Sequence, residues 1–528
     1  MRRILYIASV ISLNALPALS DQIVKLDYGT FEGFTSREIH QFLGIPYAQP
    51  PIGKLRFKPP LPPLPFEGIK KATKYSPVCL QYAPIPGGSE DCLTLNVFTP
   101  NLNPNEPYPV MVWVYGGAFG GGWSSSYNGE SFVREANNSV VIVTMNYRTG
   151  AFGFLASVEA VKENAANMGL MDQQLAFEWV QKYIRSFGGD PDNITVFGES
   201  AGAVSIALHL VRYGNSTKPP FHKAIVQSGG PNTPILHPEF QQQFFDKIMK
   251  KVGCKVYPSS STEALACLRG ISPNSLAKAF EDIFAQALLR GRAHPFGPII
   301  DGKFIKKHPI DMLKETGLPS IPLMMGSTTD EGTMFTVGAF VPIPINGGDI
   351  SAISVMFPMS NEDIKRVDSL YPISDYKSMI YSTKYLRLSD AVGDAKFKCP
   401  QELLFQHAKG EVYRYRFNQL TPFQKTPPYP LLVNHGDELP YLWPSMALGS
   451  RAAFTANDRA LARVMSDYWV CFAKTGNPNC KNNLIWPEFT SSKQRILLQE
   501  PGLTIEPVPD NKLKCNFWNS LYYKNNFN

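Results

Sequence analysis

The sequence predicts an α/β protein: a large, mostly parallel central sheet flanked by helices, with a helical insertion late in the chain. The first observation behind this is a set of strongly apolar β-type runs at 95–98, 110–114, 140–143, 194–197 and 224–227, too continuous to leave one face to water. The second is helical periodicity between some of them, as over 171–187; strands alternating with helices build a sheet buried on both faces. Before these runs the chain has short apolar stretches broken by proline, as at 45–51, which read as strands and loops. From about 236 to 420 helices dominate, interrupted by one β-type run at 322–326; another run, at 411–417, leads into the C-terminal part.

Composition narrows the class. The 528 residues are 44% hydrophobic, 12% aromatic and 18% charged, a balance too apolar for a disordered chain. The 40 glycines and 45 prolines follow no period, which excludes collagen and fits a loop-rich globular protein. With no internal repeat and no long linker, residues 21–528 are expected to form one domain. The formal charge is +7, and +5 without the first twenty residues (49 basic against 44 acidic side chains), too little over this length to argue for nucleic acid.

Residues 1–20 read as a signal peptide. Arg2 and Arg3 precede an apolar stretch from Ile4 to Ile11, and Ala18 and Ser20 put small residues where a signal peptidase reads, so cleavage is expected before Asp21. No later window reaches the roughly 18 apolar residues of a membrane span. The last residues resemble neither an ER-retention tetrapeptide nor a GPI-type tail, so the expected protein is secreted, soluble and without a membrane anchor. In that compartment eight cysteines favour disulfides, and Cys79/Cys92 and Cys254/Cys267 bracket short turn-rich loops suited to local bridges. Neither CxxC nor HExxH occurs, which argues against zinc. Sequons stand at Asn137, Asn193 and Asn215, with Asn193 hard against an apolar run.

Gly198-Glu199-Ser200-Ala201-Gly202 fits G-x-S-x-G between a β-type run ending at Phe197 and a helix-compatible run from Ala203 to Leu210. Strand, sharp turn and helix present a serine hydroxyl at the carboxyl end of a sheet. A serine needs a base to become nucleophilic, and it needs donors aimed at the developing oxyanion. Gly116-Gly117-Ala118-Phe119 follows a strand, and the N–H groups of Gly117 and Ala118, with that of Ala201, suit a three-donor hole. The glycines that follow, Gly120 to Gly122, complete no nucleotide motif. Among eight histidines, His40 lies upstream, His209 lies on the helix after the serine and His407 lies in a helix-like segment. His435 sits in a loop after a late strand, where the order serine, acid, histidine of α/β-hydrolases puts the base. The acid follows the run at 322–326, and either Asp330 or Glu331 serves on sequence grounds.

On these motifs the chain resembles the type-B carboxylesterases and cholinesterases. Phe187-Gly188-Gly189-Asp190-Pro191 through Gly202 is similar to their serine signature, and Glu90-Asp91-Cys92-Leu93-Thr94-Leu95-Asn96 to their second signature. Gly150-Ala151-Phe152-Gly153-Phe154, Ala473 to Pro478 and Cys515 to Trp518 are similar as well, so the resemblance spans about residues 22 to 520. It implies an α/β-hydrolase fold with the helical insertion over the active site. It further implies Ser200 as nucleophile, Glu331 as acid, His435 as base, and Gly117, Ala118 and Ala201 as oxyanion hole. The family often has glycine where this chain has Ala118. Disulfides Cys79–Cys92, Cys254–Cys267 and Cys399–Cys515 are implied, with Cys471 and Cys480 outside the pattern.

The expected activity is cofactor-independent hydrolysis of small-molecule carboxylic esters through an acyl-enzyme on Ser200. A cholinesterase-type choline ester hydrolase and a non-catalytic, esterase-like adhesion protein are the alternatives. Members of the second kind have lost the nucleophile, and Ser200 is present here. In the cholinesterases a tryptophan of the first disulfide loop stacks on the choline; here the loop from Leu80 to Asp91 has only Tyr82 as an aromatic, with Phe335 as another candidate. By the resemblance Ile235, Arg292, His294 and Phe296 lie near the acyl pocket, making it less aromatic than a cholinesterase's.

Overall fold

The structure, a computed structural model, describes residues 22–525 apart from 83–84, 216–217, 234, 236, 256–262, 290–294, 337–348, 379–381, 423–430 and 447–450. The expected leader, Arg292 and His294 lie outside the described residues.

Among the described residues thirteen strands form one sheet: β1 (Gln22–Leu26), β2 (Gly29–Ser36), β3 (Ile39–Pro46), β4 (Ile69–Lys71), β5 (Thr94–Thr99), β6 (Tyr108–Val114), β7 (Val141–Met145), β8 (Gly189–Glu199), β9 (Lys223–Gln227), β10 (Leu323–Thr328), β11 (Val412–Phe417), β12 (Gln494–Leu498) and β13 (Thr504–Pro507). The spatial order is β1-β2-β3-β5-β7-β6-β8-β9-β10-β11-β12-β13, with β4 pairing β2. From β7 to β12 every neighbouring pair is parallel, and the antiparallel pairs lie toward the two margins. The sheet is the mostly parallel one the apolar runs predicted. β5, β7 and β9 are buried along their whole length, as a sheet covered on both faces requires.

The long helix expected over 171–187 runs over Met168–Tyr183 and tightens into a 3₁₀ turn at Ile184–Phe187. Among the described residues, helices dominate the insertion between β9 and β11 and β10 is its one strand, as read from the sequence. All four cysteine pairs are bridged: Cys79–Cys92, Cys254–Cys267, Cys399–Cys515 and also Cys471–Cys480, the pair outside the resemblance. Cys399–Cys515 ties the helix Cys399–His407, which follows a π-helical turn at Asp394–Lys398, to the C-terminal helix Lys512–Asn525.

Parallel register brings the strand ends together. Gly198 pairs with Val114 and Val226, Gln227 with Gly326, and Thr328 with Phe417. The segments leaving β6, β8, β9, β10 and β11 therefore emerge along one edge.

Candidate active site

β8 ends at Glu199 and the helix Ala201–Tyr213 begins one residue later. Ser200, the residue between, takes φ 57° and ψ −124°, a conformation that costs a non-glycine residue about 1–3 kcal/mol. The elbow is packed tightly on the end of β6: a Cβ on Gly202 would stand 2.0 Å from the Val114 carbonyl oxygen, and one on Gly198 2.5 Å from it. Any larger residue at either position would force the chains apart.

The segment after β6 packs onto this elbow, since a Cβ on Gly116 would lie 2.9 Å from the Ser200 Cβ. Gly117 and Ala118 both have positive φ, 113° and 56°. The N–H groups of Gly120 and Gly121 donate to the Gly117 carbonyl, at 3.0 and 3.1 Å, and that of Gly122 donates to the Gln81 side chain at 3.1 Å. Among the described residues the N–H groups of Gly117 and Ala118 take no part in this network. The N–H of Ala201, opening its helix, belongs to a first turn that has no intrahelical acceptors.

Glu331, three residues past β10, is fully buried and accepts hydrogen bonds from the Thr328 N–H (2.8 Å) and the Ser228 hydroxyl (2.5 Å). Its other oxygen lies 2.6 Å from Nδ1 of His435. Asp330, the alternative left open by the sequence, instead accepts the Val433 N–H at 3.1 Å, so of the two carboxylates it is Glu331 that meets the histidine. The imidazole is stacked on Phe397, with centroids 4.1 Å apart, and flanked by Phe335 at 5.3 Å; both phenylalanines come from the helical insertion, which thus reaches the site. Nε2 of His435 is 3.0 Å from Glu199.

Three buried glutamates share this histidine. Burial alone would raise the Glu331 pKa, but His435, the Ser228 hydroxyl and the Thr328 N–H outweigh it, and the carboxyl is held low. Glu199 is pushed up, first by burial and then by Glu438 and Glu331 against the pull of His435. Glu438, which accepts from Gln227 at 3.1 Å, is raised by burial and by Glu331. For His435 burial opposes the charged form, yet Glu199 and Glu331 overcome it and raise the pKa.

The other histidines weighed from the sequence lie elsewhere. His40 bonds Thr35 at 2.8 Å, buried His209 bonds Gln173 at 3.1 Å, and His407 contacts the Leu403 carbonyl at 2.8 Å. Sequence reasoning passed over Ser228, Glu438 and Phe397. Glu438 carried a signal, lying three residues after His435, but Ser228 and Phe397 reach the site only through the sheet order and the π-helical turn.

A serine on a strained elbow, an acid-bound imidazole and backbone N–H groups along one sheet edge are groups of the kind that nucleophilic acyl transfer uses. The fold is the α/β-hydrolase fold; a solved structure of Aspergillus niger EstA superposes with a TM-score of 0.82 at 29% identity, covering 96% of this chain and 99% of that one. The chain belongs to the carboxylesterase family, whose model matches residues 20–518, and it is a carboxylic ester hydrolase. It is 32% identical over 521 residues to the pyrethroid hydrolase Ces2e of Rattus norvegicus, covering 92% of this chain and 86% of the relative. It is 33% identical to the acetylcholinesterase of Bungarus fasciatus (92% and 83% covered) and 32% identical to the para-nitrobenzyl esterase of Bacillus subtilis strain 168 (94% and 98%).

Proposed function

We propose that this hydrolase is a secreted, general carboxylesterase that works through an acyl-enzyme on Ser200. The observation that carries the reading is the Glu331–His435 pair, 2.6 Å apart, on the sheet edge where Ser200 occupies its strained turn. Glu331 fixes the tautomer with the proton on Nδ1, which leaves Nε2 to take the serine proton. Ser200 attacks the ester carbonyl, and the N–H groups of Gly117, Ala118 and Ala201 receive the oxyanion. His435 then protonates the leaving alcohol, and water repeats the sequence to release the acid. Ala118 retains the backbone N–H donor of the family's usual glycine, and its methyl narrows the site.

Generality rather than choline selectivity rests on Tyr82. Its ring is stacked on Phe284, with centroids 4.2 Å apart and planes 17° from parallel, and its edge lies against the backbone of Gly120 and Gly121. A quaternary ammonium would have to displace Phe284 to reach that face. Of the positions assigned by resemblance to the acyl pocket, Ile235 and Phe296 are buried, with Phe296 packed on Phe280 at 5.8 Å. Among the described residues no helix is long and apolar enough to cross a membrane. Secretion is supported by the leader and by the four disulfides. A hydrolysis panel that varies acyl length and alcohol charge separately tests the reading: turnover of neutral esters with several acyl lengths is expected, and turnover confined to choline esters would overturn it.

A further inference from the structure

Lys396 is a buried cation with no counter-charge among the described residues. It lies on the π-helical turn Asp394–Lys398 and is 6% exposed. Its Nζ stands 5.5 Å from the centroid of the Phe335 ring and 5.6 Å from that of Phe357. Among the described residues no carboxylate pairs with it, and burial is the sole influence on its pKa, lowering it to about 8. Aromatic faces attract an ammonium but do not replace the hydration that burial removes. Its charged neighbours turn to another network: Asp394 accepts from the Tyr371 hydroxyl at 2.9 Å and pairs with Lys398 at 3.7 Å and Lys514 at 3.8 Å.

The position is tied to the ester site by two rings. Phe397, the next residue, is the one stacked on His435, and the Phe335 ring neighbours both groups, its centroid 5.5 Å from the ammonium and 5.3 Å from that of the imidazole. Turns of this kind frequently interrupt helices at functional sites. A buried cation that meets no carboxylate among the described residues, and that shares a ring neighbour with the imidazole, favours a ligand that brings the missing negative charge.

We propose that Lys396 is a specificity residue of the ester site, its ammonium receiving a carboxylate carried by the substrate about one aromatic ring away from the scissile carbonyl. The inference rests on the proposed esterase reading and adds a substrate class, acidic esters. Near neutral pH the ammonium is still largely protonated, and pairing with a carboxylate holds it so.

The test uses the full-length protein and two pairs of substrates. In one pair the charge is on the acyl side: the monoethyl and diethyl esters of a short dicarboxylic acid. In the other it is on the alcohol side: the acetate ester of a hydroxy acid and of that acid's methyl ester. The quantity read is the ratio of kcat/KM, anionic over neutral, which a general folding defect leaves unchanged. In Lys396→Met the ratio is expected to fall at least about tenfold in one pair, the lower end for a hydrogen bond to a charged group. The loss should lie in KM, Lys396→Arg should restore most of it, and removing the unpaired charge should raise Tm in Lys396→Met. Ratios unchanged in both pairs, or a lowered Tm with both substrates of each pair equally impaired, would overturn the proposal while leaving the esterase reading intact. Wild-type protein that hydrolyses none of the four esters would overturn that reading, and this inference with it.

Discussion

Glu199 stands 3.0 Å from Nε2 of His435 while Glu331 stands 2.6 Å from Nδ1, so the imidazole lies between two buried carboxyl groups. Protonated His435 cannot accept the Ser200 proton, and both acids favour its protonated form. On the proposed mechanism kcat/KM therefore falls as pH drops, along a limb lying above the ordinary histidine value of about 6.5. Glu199→Gln removes one of those acids and should move the limb to lower pH by about one unit or more. A profile flat between about pH 5 and 8, where histidine titrates, would exclude a histidine base.

Replacing Ser200 separates chemistry from strain. Ser200→Ala should lower turnover by about 10³-fold or more with folding intact, since the parts of such a site act as a unit. Ser200→Gly should be equally inactive but more stable than Ser200→Ala, because glycine adopts the φ 57° turn without the steric cost. Thermal melts of the two variants make the comparison.

The covered face of Tyr82 predicts weak choline preference. For a choline ester and its neutral carbon isostere with the same acyl group, kcat/KM should differ by less than about 30-fold, the upper end of one cation–π contact. Phe284→Ala uncovers the ring and should raise the preference toward that bound. A wild-type preference well above it would favour a cholinesterase.

The three sequons are not equivalent. Asn137 and Asn215 are exposed, whereas Asn193 lies within β8, donates its side-chain amide to the Lys474 carbonyl at 3.1 Å and accepts from Lys223. In secreted protein, glycopeptide mass spectrometry should find glycan on Asn137 and Asn215 and none on Asn193.

Much of the fold was legible because a sheet buried on both faces writes itself as continuous apolar runs: those at 110–114 and 224–227 became β6 and β9. The margins were harder. β12 and β13 are short, with Gln494, Arg495 and Glu506 among their residues, and they carry little hydrophobic signal. At the site, local order gave the strand–turn–helix at Ser200, but Asp330 and Glu331 are adjacent carboxylates whose roles no local pattern separates. Only the path of the backbone past β10 sends Glu331 to His435 and Asp330 to Val433. Phe397 was illegible for the same reason: a π-helical turn breaks the period from which a helix face is read.

The acyl-enzyme on Ser200 is tested most directly by labelling the folded wild-type protein with a serine-directed fluorophosphonate and mapping the adduct by peptide mass spectrometry. One adduct, on the peptide containing Ser200, should accumulate in step with the loss of esterase activity, and prior incubation with substrate should slow it. Folded, active protein that acquires no adduct at Ser200, or that loses activity through an adduct elsewhere, would contradict the account.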